Sequence, residues 1–239
     1  FRSQSNLRNG CMFPTNHPLH VLAPGQRLTG SLKDAVNKAD AILSLGWTDL
    51  AGFLRQCTGE AQSQRPIGAK VIHCGLENFH ANGYIMDYQA LPGTDMLVSA
   101  DPDAFVGQML DEVGSKKAPV RSSVSKQRHW TKDADKVKPK KGGKMSANDV
   151  ALVVSEFSKK RKVCLARSSD LPPAAARFND PLDYIGNDGG GGVGSAPGHA
   201  VGAALALKGT DRLCLAVTGD GNYIMGINAL WTASRMELP

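Results

Sequence analysis

The 239-residue sequence predicts an α/β fold: two parallel-sheet, three-layer units joined by a basic linker. Three observations carry that expectation. ILSLGW (42–47), AKVIHCGLE (69–77), DMLVSA (95–100), KVCLARSS (162–169) and LCLAVTGD (213–220) are short apolar runs of strand length. Unbroken apolarity is what a strand buried on both faces requires. Amphipathic segments alternate with these runs, the arrangement that gives parallel strands with helices on the sheet faces. Between the two groups lies a tract of roughly 114–144, rich in Lys, Ser, Pro and Gly, which breaks both patterns. The expected organisation is therefore 1–113, a linker over 114–144, and a second unit over 145–239.

In chain order, SLKDAVNKADA (31–41) reads as a helix leading into the first strand, and a helical or irregular stretch around Leu50–Glu60 separates it from the second. DPDAFVGQMLDEV (101–113) follows the third strand, with Asp101 placed to accept the free N–H groups of the first turn. SANDVALVVSEFSKK (146–160) opens the second unit with Ser146 as its cap. In SAPGHAVGAALALKG (195–209), Ser195 is the expected cap, Pro197 fits the first turn and Gly209 the end.

Composition excludes several classes. No apolar run approaches the roughly 18 residues a membrane-spanning helix needs. The net charge of +6 comes from one place: residues 116–144 hold 11 of the 28 Lys/Arg but 2 of the 22 Asp/Glu, so the rest of the chain carries fewer basic than acidic residues. A nucleic-acid partner is therefore not expected, and the tract reads as a solvated linker. The five cysteines show no pairing pattern, which suits a reducing, cytoplasmic compartment. His17 and His20 form an HxxH without an evident third ligand and read as a loop. The chain opens and closes in mid-pattern and is expected to be a fragment.

The functional question concentrates in Gly186–Gly226. A flexible linker would lack periodicity, whereas these glycines run straight into a helix. Gly194, Gly198 and Gly202 recur every fourth residue, at a cost of about 1 kcal/mol each relative to Ala. That cost implies close approach of a backbone or a ligand. Gly189, Gly191 and Gly194 satisfy GxGxxG formally, but no strand immediately precedes them and Asp211 lies before the next strand rather than after it, so a dinucleotide fingerprint is not read. No P-loop is present. Asp220, in the Gly-Asp-Gly after the last strand, emerges at the carboxyl end of a parallel strand, where open α/β sheets bind ligands. Its carboxylate is a hard ligand for Mg2+, and glycine N–H groups beside it suit phosphate.

GDGNYIMGINALWTA (219–233) and GGGGVGSAPGHAVGAALAL (189–207), with FPTNHPLH, ADAILSLGW and AKVIHCGLE, resemble the thiamine-diphosphate-dependent enzymes of the acetolactate synthase and benzoylformate decarboxylase type. The resemblance covers nearly the whole chain: part of the central domain, then the start of the diphosphate-binding domain. It implies thiamine diphosphate and Mg2+ as cofactors, a 2-keto acid substrate, decarboxylase or carboligase activity, and a homodimer or tetramer. It implies Asp220 as metal ligand, with Gly219, Gly221 and Asn222 at the diphosphate through their backbone. Val193 would stand under the bend of the cofactor, a small residue for that wedge; Gly191 would offer its carbonyl to the aminopyrimidine, and Gly192 and Gly194 belong to the same cofactor-binding segment. Ser168 and Ser169 fall where diphosphate contacts occur. The resemblance puts the activating glutamate on an N-terminal domain and an Asn-Asn beyond Pro239, so no catalytic residue is expected on this piece, which alone should be inactive. Some relatives hold FAD or ADP in the central domain; no residue of 1–113 points to either. The competing readings are a non-catalytic homologue that keeps the fold and a binder of acidic partners through 116–144.

Overall fold

The computed structural model describes residues 10–20, 30–58, 68–76, 91–114, 131, 136, 138, 142–168, 172, 177–186 and 192–239. They fall into two compact units, Arg27–Ser123 and Phe1–Gln26 with Val124–Pro239. The 114–144 linker expectation falls mostly outside the described residues.

The first unit is built on a three-stranded parallel sheet in the order β1 (Ala41–Leu45), β2 (Lys70–Gly75), β3 (Met96–Ser99). Ala41 stands opposite Lys70 and Ile72 opposite Met96. With helices α1 (Gly30–Asn37), α2 (Leu50–Thr58) and α3 (Pro102–Gly114), the described elements run α1, β1, α2, β2, β3, α3 along the chain. Leu50 and Leu54 of α2 pack on Val71, with Ile42, Trp47 and Phe53 around them. Asp101 caps α3 as expected, its Oδ1 accepting from the N–H of Asp103 at 2.8 Å and of Ala104 at 3.2 Å. Two-sided burial holds only in part. Central β2 buries Val71, His73 and Cys74, whereas Leu43 of β1 and Met96 and Leu97 of β3 are exposed. The described sheet gives β2 a neighbour on each side and leaves β1 and β3 as its edges.

In the second unit, β4 (Val163–Ser168) pairs in parallel with β5 (Leu213–Val217). Val163 to Arg167 are all buried. Leu165 also bridges to Tyr184. Helix α4 (Ala147–Lys160) precedes β4; α5 (Ser195–Ala206) precedes β5; α6 (Asp220–Gly226) and α7 (Ala229–Arg235) follow it. Ala151 and Val154 of α4 pack toward Leu215 and Val217, which also meet the cluster of Leu165, Phe178 and Tyr184. Ser146 and Asp149 form a reciprocal capping box at the start of α4, the Ser146 N–H reaching Asp149 Oδ2 at 2.7 Å. Over 224–231, Ile224, Met225, Ile227, Leu230 and Trp231 are exposed.

Residues 10–20 were grouped with the first unit by the sequence, yet they pair with the second. The Cys11 N–H donates to Tyr184 O at 2.7 Å, the Thr15 N–H to Phe178 O at 2.7 Å, and the Phe178 N–H to Thr15 Oγ1 at 2.9 Å. Buried backbone groups need partners, and 177–184 finds them here. His20 is fully buried, stacked on Phe13 at 5.9 Å. Among the described residues no three His, Cys, Asp or Glu side chains group to hold a metal, and no helix is long and apolar enough to cross a membrane.

The cysteines are free thiols. Cys164 and Cys214 face each other across β4 and β5. Burial, then the neighbouring Cys164, pushes the Cys214 thiol up to about 11. Both behave as small apolar side chains.

His73 lies buried beside Ser44, Nδ1 to Oγ 2.9 Å, and burial holds its pKa below the usual 6.5. As pH falls below 6.5, the unfolded chain takes up a proton that the folded chain refuses. Stability present above 6.5 is therefore lost on the acid side until the lower folded value is passed. Urea unfolding at stepped pH should show this decline, and His73→Gln should flatten it by up to about 1.4 kcal/mol per pH unit.

Candidate functional site at the carboxyl edge of β4 and β5

The site is assembled from the bend before α5 and the turn after β5. Gly194 is the N-cap of α5 and takes the left-handed conformation, φ +95°. A Cβ there would sit 2.9 Å from Cβ of Met225. Its counterpart is Gly226 at the end of α6, where a Cβ would overlap the Gly194 carbonyl oxygen and lie 2.8 Å from Pro197 Cδ. Two missing side chains thus let the start of α5 and the end of α6 meet backbone to backbone.

Hydrogen bonds fix the bend at both ends. The Gly194 N–H donates to Asn222 Oδ1 at 2.8 Å. Ser195 Oγ donates to Gly192 O at 2.7 Å. Behind it, buried Arg167 at the end of β4 reaches Ser195 Oγ through Nη1 at a long 3.4 Å. The β4–β5 register slips between Leu165 and Arg167, the kind of irregularity that re-aims a side chain at a strand end.

Ser195 does not cap α5. The cap is Gly194, and Ser195 is the first helical residue, its hydroxyl turned back to Gly192. A left-handed cap is a glycine position, and that geometry leaves the serine no capping role. The helix ends at Ala206, with Gly209 beyond it at φ +86°. Of the glycine stripe, only Gly194 is closely approached; a Cβ on Gly198 or Gly202 would meet nothing within 4 Å.

Between the two fixed ends, Val193 stands exposed. A Cβ on Gly221 would lie 3.9 Å from its Cγ1, so the bend and the Gly-Asp-Gly turn are neighbours. Asp220 begins α6 after Gly219, the N-cap, at φ −72° and ψ 161°. Its carboxylate is exposed, and Oδ1 accepts the Gly221 N–H at 2.8 Å. Cβ atoms on Gly192 and Gly219 would meet nothing within 4 Å, so backbone there is open to approach.

The structure therefore brings Gly192, Val193, Gly194, Gly219, Asp220, Gly221 and Asn222 into one place. Ser168 closes β4 opposite Val217; its side chain, Ser169 and Gly191 lie outside the described residues. The sequence implies only a backbone role for Asn222 and a capping role for Ser195, and singles out neither Arg167 nor Gly226. Arg167 did leave a signal, a charge directly after the apolar run VCLA, where buried charge is rare without a specific purpose.

Residues 171–239 match the family model described as thiamine pyrophosphate enzyme, C-terminal TPP binding domain. In this part the chain is similar to the cofactor-binding domain of thiamine-diphosphate enzymes. The sequence is also similar, at 25% identity over 239 residues, to the acetolactate synthase large subunit of Buchnera aphidicola subsp. Schlechtendalia chinensis. That match takes in 95% of this chain and 38% of the relative, so the chain spans well under half the relative's length. The residues present fit the cofactor of this family. Mg2+ binds through one or two carboxylates together with phosphate oxygens and water, and Asp220 offers one exposed carboxylate beside backbone that no side chain covers. The first N–H groups of α6 have no carbonyl acceptor within their own helix, and that of Gly221 is taken by Asp220 Oδ1.

Three glycine-to-alanine changes separate these positions by urea unfolding. Gly194→Ala combines left-handed strain, about 1–2 kcal/mol, with the Met225 contact and should destabilise by roughly 2–4 kcal/mol in all. Gly226→Ala should cost at least as much, since the Gly194 backbone must move. Gly198→Ala, in open space on a helix, should stabilise by about 0.5–1 kcal/mol.

Proposed function

We propose that the protein containing this chain is a thiamine-diphosphate- and Mg2+-dependent enzyme that decarboxylates or joins 2-keto acids in the manner of an acetolactate synthase. One observation carries the proposal: the Val193 bend and the Asp220 turn form a single hydrogen-bonded unit at the carboxyl edge of a parallel sheet. Ligands of open α/β sheets bind at that edge. The family match of residues 171–239 supports the choice of cofactor.

When bound, thiamine diphosphate supplies the electron sink for breaking or making the bond beside the keto carbon. Asp220 would hold Mg2+, and the backbone at Gly219, Gly221 and Asn222, with Ser168 and Ser169, would hold the diphosphate. Val193, between Gly191 and Gly192 on one side and Gly194 on the other, would help hold and orient the cofactor. No proton-transferring side chain is assigned to this chain; its part is anchoring and orientation, which lower the barrier by removing freedom before reaction. Residues 145–239 form the cofactor-binding part, 1–113 apart from 10–20 correspond to the central domain and 114–144 to a linker. Residues 10–20, packed on the second unit, extend the cofactor-binding part. The active protein is a homodimer or tetramer, located in the cytoplasm.

Isothermal titration of the complete protein with thiamine diphosphate tests this. Binding should require Mg2+, and Asp220→Asn should weaken it by at least about 10-fold, the lower end for residues that support a bound metal. Pyruvate consumption should depend on both additions. Binding indifferent to chelator and to Asp220→Asn overturns the proposal.

A further inference from the structure

We propose that Asn222 is a positioning residue whose side chain latches the bend carrying Val193 to the turn carrying Asp220, so that the cradle is set before any cofactor arrives. The inference rests on the reading of this site as a thiamine-diphosphate cradle.

The latch is a single hydrogen bond, Gly194 N–H to Asn222 Oδ1 at 2.8 Å, across 28 residues of sequence. Its sense is unambiguous, because a backbone N–H only donates; the oxygen limb of the amide must face Gly194. An asparagine in the first turn of a helix ordinarily turns to its own backbone. Here it leaves its own helix for the N-cap of another, a cap that has no side-chain bond of its own. The other end of the bend is already held by Ser195 on Gly192 O. Val193 lies between the two restraints, beside Gly221. With Asn222 removed, one restraint of two is lost in the most glycine-rich stretch of the chain, where each residue gives up the most backbone freedom on ordering. That entropy would then be charged against ligand binding, which a preorganised site avoids.

The latch acts on Val193, and Val193 concerns the ring portion of the cofactor. A ligand gripped only through Asp220 and the turn backbone should barely notice the loss. Thiamine diphosphate and inorganic pyrophosphate, each with Mg2+, therefore separate a positioning role from general damage. In the complete protein, Asn222→Ala should speed amide hydrogen exchange across 193–196 without ligand, leaving α4 unchanged. It should weaken thiamine diphosphate by about 5- to 10-fold, the size of one lost hydrogen bond. Magnesium pyrophosphate should weaken by less than about 3-fold, because it keeps the Asp220 contact. Asn222→Asp retains an acceptor and should restore slow exchange at 193–196, while its added charge weakens both ligands. Should Asn222→Ala not fold, Asn222→Ser, too short to reach Gly194, takes its place. Unchanged exchange at 193–196 overturns the latch, and so do equal losses for the two ligands. Failure of the wild-type protein to bind thiamine diphosphate overturns the cradle reading, and with it the latch's role there, whereas the exchange result still reports on the bond.

Discussion

The backbone contact between Gly194 and Gly226 sets the geometry from which the rest of the site follows. With side chains absent at both positions, the carbonyl of Gly194 can lie where a methyl group would otherwise be, against the end of α6. Only at that separation does Asn222 reach the Gly194 N–H, and only then does Val193 come beside Gly221. Asp220 gains its place from the same arrangement, since it begins the short helix whose far end is pressed on the bend. A site that grips phosphate through backbone needs this kind of bareness, and the bareness is useful only when something else restrains the chain.

That restraint comes from the sheet. β4 is buried from Val163 to Arg167 and flanked by two small apolar clusters that share Leu215 and Val217. Its register slip after Leu165 precedes Arg167, the one buried charge at the strand's end, which meets the Ser195 hydroxyl. At 3.4 Å this bond is near the limit of useful geometry. It therefore ranks below the Ser195–Gly192 and Asn222–Gly194 bonds as a restraint. The first unit lacks such support at its edges, where Leu43, Met96 and Leu97 remain exposed around a well-buried β2.

Local rules made much of this legible. Asp101 and Ser146 sit at helix starts because a short polar side chain satisfies N–H groups that the helix cannot, a requirement visible in three or four residues of sequence. The strands were legible for the same reason, since apolar runs of that length have few other uses. Ser195 misled because the cap falls one residue earlier, on left-handed Gly194 against Met225 and Gly226, which makes the serine the first helical residue. The pairing of 10–20 with 177–184 left no local trace, being a match between two irregular segments. Asn222 was read for its backbone alone, because nothing near it in sequence announces a partner 28 residues away.

The glycines also divide into two kinds by what heredity can do to them. Most base changes in the first two letters of a glycine codon attach a side chain. At 198 and 202 such a change meets vacant space, so those codons are free to drift within the limits of helix and ligand. At 194 and 226 the same change drives a methyl group or more into neighbouring atoms. Two helices that depend on touching through bare backbone have bound those two codons together, because relief at either would need the whole crossing to be rebuilt.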